Sequence, residues 1–99
     1  MKEVALKIFN NYGYENQLEK LKEEVKEFIE AVEDYEKGIG TRKHIIEETG
    51  DVEFLMYQFR NAYEIDVDCV ELVGDLKGER QLKRMEEENE RINKTNVES

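Results

Sequence analysis

Proline is absent from the 99-residue chain, and this absence constrains the fold more than any other feature of the sequence. Only six residues are glycine, and 40% are charged, mostly Glu, Lys and Arg, which favour helices or leave them undisturbed. A chain of this length forms one domain with a modest core. We therefore predict an all-α fold, with residues 1–93 as a single helical domain and residues 94–99 as a frayed C-terminal tail.

Apolar residues recur at helical spacing in four segments, which predicts a bundle of about four helices. The first three are predicted at 2–11, 16–37 and 42–63, and the fourth begins after Asp66 or Asp68 and ends near Asn93. A capping box at "NQLE" and Thr41 as an N-cap would start the second and third helices. The tight connection at "KGIGT" predicts that these two helices form an antiparallel pair.

The charge balance limits the partners of the chain. Its formal net charge is −10, which opposes binding to nucleic acid or to an anionic membrane surface. No window approaches the ~20 apolar residues of a membrane span. The single cysteine, Cys69, cannot form an intrachain disulfide, and the first residues lack the apolar run of a signal peptide. We expect a cytoplasmic protein with no nucleic-acid or membrane partner.

Two acidic clusters lie on the helices of the predicted pair. The first is Glu23, Glu24 and Glu27 in "EEVKE", and the second is Glu48 and Asp51 in "ETGD". The pattern alone is not specific, because the Glu-rich chain repeats it in "EEENE" near the end of the last helix. A solvated charged face explains that third occurrence.

Position on the helices makes the first two clusters more informative. Glu48 occupies a place that the periodicity of the third helix reserves for a hydrophobic residue, and Asp51 lies about 60° to one side. The apolar stripe there is otherwise Ile45, Val52, Leu55, Phe59 and Ala62. On the second helix Glu24 flanks the stripe and Glu27 follows one turn later. That stripe consists of Leu18, Leu21, Val25, Phe28, Val32 and Tyr35.

Counting from the turn places the two pairs of acids at the same level of the helix pair. Four carboxylates so close together cannot all stay ionised without a cation. Oxygen ligands of this kind suit Mg²⁺ or Mn²⁺ better than Zn²⁺. The lone His44 has no second His or Cys nearby, so it does not indicate a zinc site.

Other residues are candidates for binding a substrate. Lys77, Arg80 and Arg84 continue the stripe of the fourth helix with cations, which are suited to phosphate oxygens. Interhelical salt bridges or a solvated helix end explain them equally well. Tyr14 and Gln17, together with Tyr12, lie just before the acidic helix and could hold a base, although ordinary packing is the commoner role of such residues.

The sequence resembles the MazG-like family of all-α nucleoside triphosphate pyrophosphohydrolases, in particular its small phage and Gram-positive members. The resemblance covers about residues 10–85. It rests on "EEVKE" and "ETGD", on "YGYENQL" before the first motif, on "EETGDVEFLMYQ" around the second, and on the Lys-x-x-Arg of "KGER".

This resemblance implies Mg²⁺-dependent hydrolysis of a nucleoside or deoxynucleoside triphosphate to the monophosphate and pyrophosphate, with Mn²⁺ as a possible substitute. It implies that the metal ligands are Glu24, Glu27, Glu48 and Asp51. Glu23 matches the remaining acid of the motif, and the general base stays open. Lys77 and Arg80 would contact phosphates, although Gly78 between them departs from the pattern.

The resemblance and the long apolar stripes both lead us to expect a homodimer or higher oligomer. The alternative is a non-catalytic helical module that binds nucleotides or another protein.

Overall fold

A computed structural model of the protein describes residues 1–98 and is all-α. Its helices are α1 (Lys2–Tyr12), α2 (Tyr14–Glu36), α3 (Arg42–Ala62) and α4 (Val67–Glu98). No strand occurs in this described part of the chain. The predicted all-α fold with four helices is confirmed.

One residue, Gly13, joins α1 to α2. Its φ of 84° and ψ of 158° lie in a region that is essentially restricted to glycine, and its N–H donates to the carbonyl of Phe9 at 2.8 Å. The predicted capping box at "NQLE" is wrong, because α2 already begins at Tyr14 and no side chain caps it. Asn16 lies inside the helix, where its Nδ2 donates to the carbonyl of Tyr12 at 2.7 Å.

The connection between α2 and α3 is tight. The N–H of Gly40 donates to the carbonyl of Asp34 at 3.0 Å. A Cβ atom on Gly40 would lie 2.9 Å from the Cβ of Asp34 and 3.0 Å from the backbone nitrogen of Tyr35, so only glycine fits here. Thr41 is the N-cap of α3, as predicted, and its side chain accepts a hydrogen bond from the N–H of His44 at 3.1 Å.

The contacts between α2 and α3 run antiparallel. Gln17, near the start of α2, is hydrogen-bonded to Gln58, near the end of α3. Glu24, further along α2, lies beside Glu48, which is earlier in α3. The residue numbers of the contacting residues therefore increase along α2 while they decrease along α3.

The helix α1 packs against both α2 and α3. Phe9 meets Phe59 edge-on, with ring centroids 5.2 Å apart, and Tyr63 lies about 6 Å from both rings. Few hydrophobic side chains are buried. In the described residues they are Ala5, Phe9, Ala31 and Leu55, so the apolar core is small.

The buried face of α2 differs from the predicted apolar stripe. Its buried residues are Gln17, Glu24 and Ala31, spaced seven apart, so Glu24 lies in the middle of the buried face and does not merely flank it. Leu18 and Val25, which belong to the predicted stripe, are 41% and 37% exposed. The stripe of α3 was predicted correctly, because every member of it, including Glu48, is buried or half-buried.

Contacts divide the chain into two compact units, the first of which is Met1–Ile65 with α1, α2 and α3. The second begins at Asp66, whose Oδ1 accepts a hydrogen bond from the N–H of Asp68 at 2.8 Å. Asp66, one of the two residues predicted to precede the fourth helix, is therefore the N-cap of α4. The helix runs past the predicted end near Asn93 to Glu98, so this part of the predicted tail is helical, and Ser99 lies outside the described residues.

Residues 67–96 of α4 are all exposed in the single chain. None of the helices, over the part of the chain that the structure describes, has both the length and the apolar character to cross a membrane.

Candidate metal centre

Three glutamates meet between α2 and α3. Each of Glu24, Glu27 and Glu48 offers one carboxylate oxygen, and these oxygens all lie within 4.8 Å of one another. The i, i+3 spacing places Glu24 and Glu27 on one face of α2, and the apolar stripe of α3 directs Glu48 toward them. Glu24 is buried, Glu48 is half-buried and Glu27 is exposed. This cluster, which we call the glutamate triad, could hold a metal ion.

Two oxygens of the glutamate triad are buried without a partner. Neither Oε2 of Glu24 nor Oε2 of Glu48 receives a hydrogen bond. Most buried polar atoms are hydrogen-bonded, because an unpaired one bears the full cost of losing water. Carboxylate oxygens are the ligands that hard divalent cations prefer. The donor set therefore fits a divalent cation.

The other oxygen of each of these glutamates has a basic partner. Lys20 Nζ lies 3.1 Å from Oε1 of Glu24, and His44 Nε2 lies 3.2 Å from Oε1 of Glu48. The hydrogen bond with Glu24 raises the pKa of Lys20 above its usual value. Neither partner was identified as a site residue from the sequence. The signal was their spacing, since each precedes its glutamate by four residues.

The two remaining predicted acids lie nearby, outside the glutamate triad. Among the described residues, the group that could share an ion does not include Asp51 or Glu23. Asp51 is exposed and lines a cavity with Glu24. Glu23 is also exposed, and its Oε2 lies 3.7 Å from Lys20 Nζ.

The cavity beside the triad has a volume of about 560 Å³. This volume lies in the range of about 300–1,000 Å³ that is typical of small-molecule sites. Glu24, Lys20 and Asp51 supply charged groups to its lining, while Gln17 and Gln58 supply amides. The other lining residues are Ile8, Tyr12, Asn16, Phe54 and Leu55.

The residues proposed to hold a base fall into two groups. Gln17 and Tyr12 line the cavity, and Gln17 is buried. Tyr14 is 52% exposed and is not among the described residues that line it. Gln58 was not predicted from the sequence, because a single glutamine on a helix carries no signal until its partner across the helix pair is known.

The predicted phosphate ligands lie together on α4. Lys77, Arg80 and Arg84 border a surface depression of about 240 Å³ with Gln81. Their spacing of three and four residues puts them on one face of the helix. Their role in binding phosphate stays a prediction.

No family model matches the chain, and searches among curated proteins and solved structures give no significant match. The MazG-like resemblance therefore stays a hypothesis that rests on the sequence motifs.

Proposed function

We propose that the protein is a Mg²⁺-dependent hydrolase that converts nucleoside or deoxynucleoside triphosphates to the monophosphate and pyrophosphate. The observation that carries this proposal is the pair of buried, unpartnered oxygens of Glu24 and Glu48, of which Glu24 also lines the cavity. The cavity has room for a nucleotide-sized ligand. Its acidic lining would attract a divalent cation bound to the phosphates of that ligand. The resemblance to MazG-like enzymes supplies the reaction.

In this proposal the glutamate triad would hold the cation, and Asp51, which lies outside the triad on the next turn of α3, would supply a further oxygen ligand. A bound divalent cation would polarise the phosphate oxygens and lower the pKa of the attacking water. The water attacks the α-phosphorus, the bond between the α- and β-phosphates breaks, and pyrophosphate leaves. Mg²⁺ is the expected ion and Mn²⁺ the expected substitute, because both take oxygen ligands.

Basic, aromatic and amide side chains are further candidates for binding the substrate. On α4, Lys77, Arg80 and Arg84 have the chemistry to bind phosphate, since guanidinium groups match phosphate geometry and the lysine adds a point charge. Tyr12 and Gln17 hold the base in the cavity. Glu23, which is exposed beside Lys20, or one of the metal ligands orients the attacking water, and no residue is assigned as the general base.

Phosphorus NMR tests the reaction directly. The purified protein is incubated with a panel of ribo- and deoxynucleoside triphosphates, with and without Mg²⁺. We expect signals of monophosphate and pyrophosphate that appear only with the metal. Formation of the diphosphate and orthophosphate would show that a different bond breaks, and absence of turnover across the panel would remove the proposal.

The exposed apolar residues favour a second candidate, a non-catalytic interaction module. Leu72, Leu82 and Ile92 of α4 are 60%, 55% and 57% exposed. Such residues suit a partner surface. In this case Mg²⁺ would leave the melting temperature unchanged, and Glu48→Leu would stabilise the fold by adding a hydrophobic side chain to the stripe of α3.

A further inference from the structure

Two buried amides face each other across α2 and α3. Gln17 is 6% exposed and Gln58 is 2% exposed, and Nε2 of Gln17 donates to Oε1 of Gln58 at 2.8 Å. Within the described residues this is the single hydrogen bond of either side-chain amide. Buried amides normally use more of their hydrogen-bonding capacity. The pair therefore has unused groups.

Both amides line the cavity that Glu24 and Asp51 also border. A pair that only joined the two helices would be enclosed on all sides by protein. Here the space next to the pair belongs to the cavity, and the nearby lining includes the aromatic rings of Tyr12 and Phe54. The unused amide groups are thus positioned to meet a flat, polar ligand.

The pair has a property that a single amide lacks. One hydrogen bond between two carboxamides uses the NH₂ of one and the oxygen of the other, so one NH₂ and one oxygen remain. If both amides turn by 180°, the bond between them is kept in the reverse direction. The free donor and the free acceptor then exchange places.

We propose that Gln17 and Gln58 bind the hydrogen-bonding edge of the substrate's nucleobase, and that reversal of the pair lets one cavity accept both keto and amino bases. A keto base such as uracil presents a carbonyl beside a ring N–H, whereas cytosine presents an amino group beside a ring nitrogen. Each is complementary to one orientation of the pair. This inference rests on the proposed function for the class of ligand, and it identifies the residues that recognise the base.

The test uses uridine and cytidine, which carry no phosphate, and protein without metal. Side-chain amide signals in ¹H–¹⁵N spectra report directly on the two glutamines. We expect both nucleosides to shift the signals of both amides, with dissociation constants that agree within about threefold. A fixed pair would discriminate by about tenfold or more, since one nucleoside would leave a buried group unpaired. Such discrimination, or no shift with either nucleoside, would overturn the proposal.

Matched variants separate recognition from packing. Gln58→Met keeps the length of the side chain and removes its amide, so affinity for both nucleosides falls about tenfold. Asn61→Met is the control. The amide of Asn61 lies on the same helix, donates to the carbonyl of Tyr57 and does not line the cavity, so nucleoside affinity is unchanged. Equal losses in the two variants would contradict a specific role. The wild-type spectra decide the question if Gln58→Met does not fold.

The two proposals fail in different ways. Amide shifts without hydrolysis of any triphosphate would contradict the proposed hydrolase activity and support base recognition by the pair. Hydrolysis without amide shifts would support the hydrolase and overturn the role of Gln17 and Gln58.

Discussion

Lys20 and His44 each lie beside one oxygen of a glutamate whose other oxygen is buried and unpaired. A carboxylate with one fixed oxygen keeps its second oxygen pointing in a defined direction. Such contacts orient metal ligands, although a cationic partner also offsets part of the carboxylate's charge. The glutamate triad is therefore preorganised from both helices, by a basic residue one turn before Glu24 and one turn before Glu48.

Replacing Glu48 by glutamine tests the triad. Glu48→Gln keeps the shape of the side chain and removes its charge, so we expect metal-dependent hydrolysis to fall by at least about 100-fold. Mg²⁺ at about 100 times its dissociation constant stabilises a protein that binds it only when folded by about 2.7 kcal/mol. The wild type should show this gain in thermal melting, and Glu48→Gln should not.

Glu90→Gln is the control for this substitution. Glu90 belongs to the third Glu-Glu-x-x-Glu pattern, with Glu86 and Glu87, and it is exposed on α4. The control should keep both activity and the effect of Mg²⁺ on melting. A normal response to Mg²⁺ in Glu48→Gln would exclude the triad as the metal site.

Lys20 competes with a cation for Glu24. Because Lys20 Nζ lies 3.1 Å from Oε1 of Glu24, Lys20→Met leaves the triad more negative and removes the competitor. The lysine is half exposed, so we expect only about a two- to fivefold gain in Mn²⁺ affinity, measured by calorimetric titration. Lys22→Met is the control, since Lys22 pairs with Glu19 at 2.9 Å and is not a partner of the triad. Weaker Mn²⁺ binding in Lys20→Met would show that the orientation of Glu24 by the lysine outweighs its competition with the cation.

The turn between α2 and α3 fixes how the two halves of the triad align. Gly40 has no room for a Cβ atom, because the nearest contacts are the Cβ of Asp34 and backbone atoms that cannot easily move. Gly74, in α4, has no atom within 4 Å of a Cβ placed on it. The same substitution should therefore have opposite effects at the two positions.

We expect Gly40→Ala to destabilise the fold by about 1–3 kcal/mol, since overpacking forces backbone shifts. Gly74→Ala should stabilise α4 by about 0.5–1 kcal/mol, because alanine loses less backbone entropy in a helix. Urea unfolding followed by circular dichroism measures both. A neutral Gly40→Ala would show that the turn tolerates a wider geometry than the structure has.

The sequence predicts the positions of the helices well, but it predicts the buried face of each helix less well. Glu48 was correctly placed on the buried stripe of α3, because hydrophobic residues surround it at regular spacing. On α2 the hydrophobic residues form one stripe, yet the buried residues are Gln17, Glu24 and Ala31. Periodicity identifies an apolar face but not which partner covers it. Gln17 is hydrogen-bonded to Gln58 of α3 and Glu24 lies beside Glu48, and neither partner can be identified from the sequence of α2.

The single chain leaves much apolar surface uncovered. Leu21, Val25 and Ile29 form a groove on α2 together with the stems of Lys22 and Lys26. The helix α4 carries further exposed hydrophobic residues along its length. Most helical stability in proteins comes from packing an amphipathic face, so these surfaces are expected to meet another chain. A second copy of the protein brings the same groove and is the simplest partner.

We expect sedimentation velocity to show at least a dimer at micromolar concentration. Ile29→Lys places a third cation beside Lys22 and Lys26 and should weaken association by about tenfold or more. Glu30→Lys changes the charge of the neighbouring exposed position and should leave association intact. A monomeric wild type at micromolar concentration would contradict the dimer.

The joint at Gly13 has a consequence for the cavity. Ile8 and Tyr12 line it from α1, while Asn16, Gln17 and Lys20 line it from α2. Gly13 alone therefore connects these two parts of the cavity wall. A connection of one residue has no slack. A different φ or ψ at Gly13 would tilt α1 against α2, and the distance between these two parts of the cavity wall would change with it.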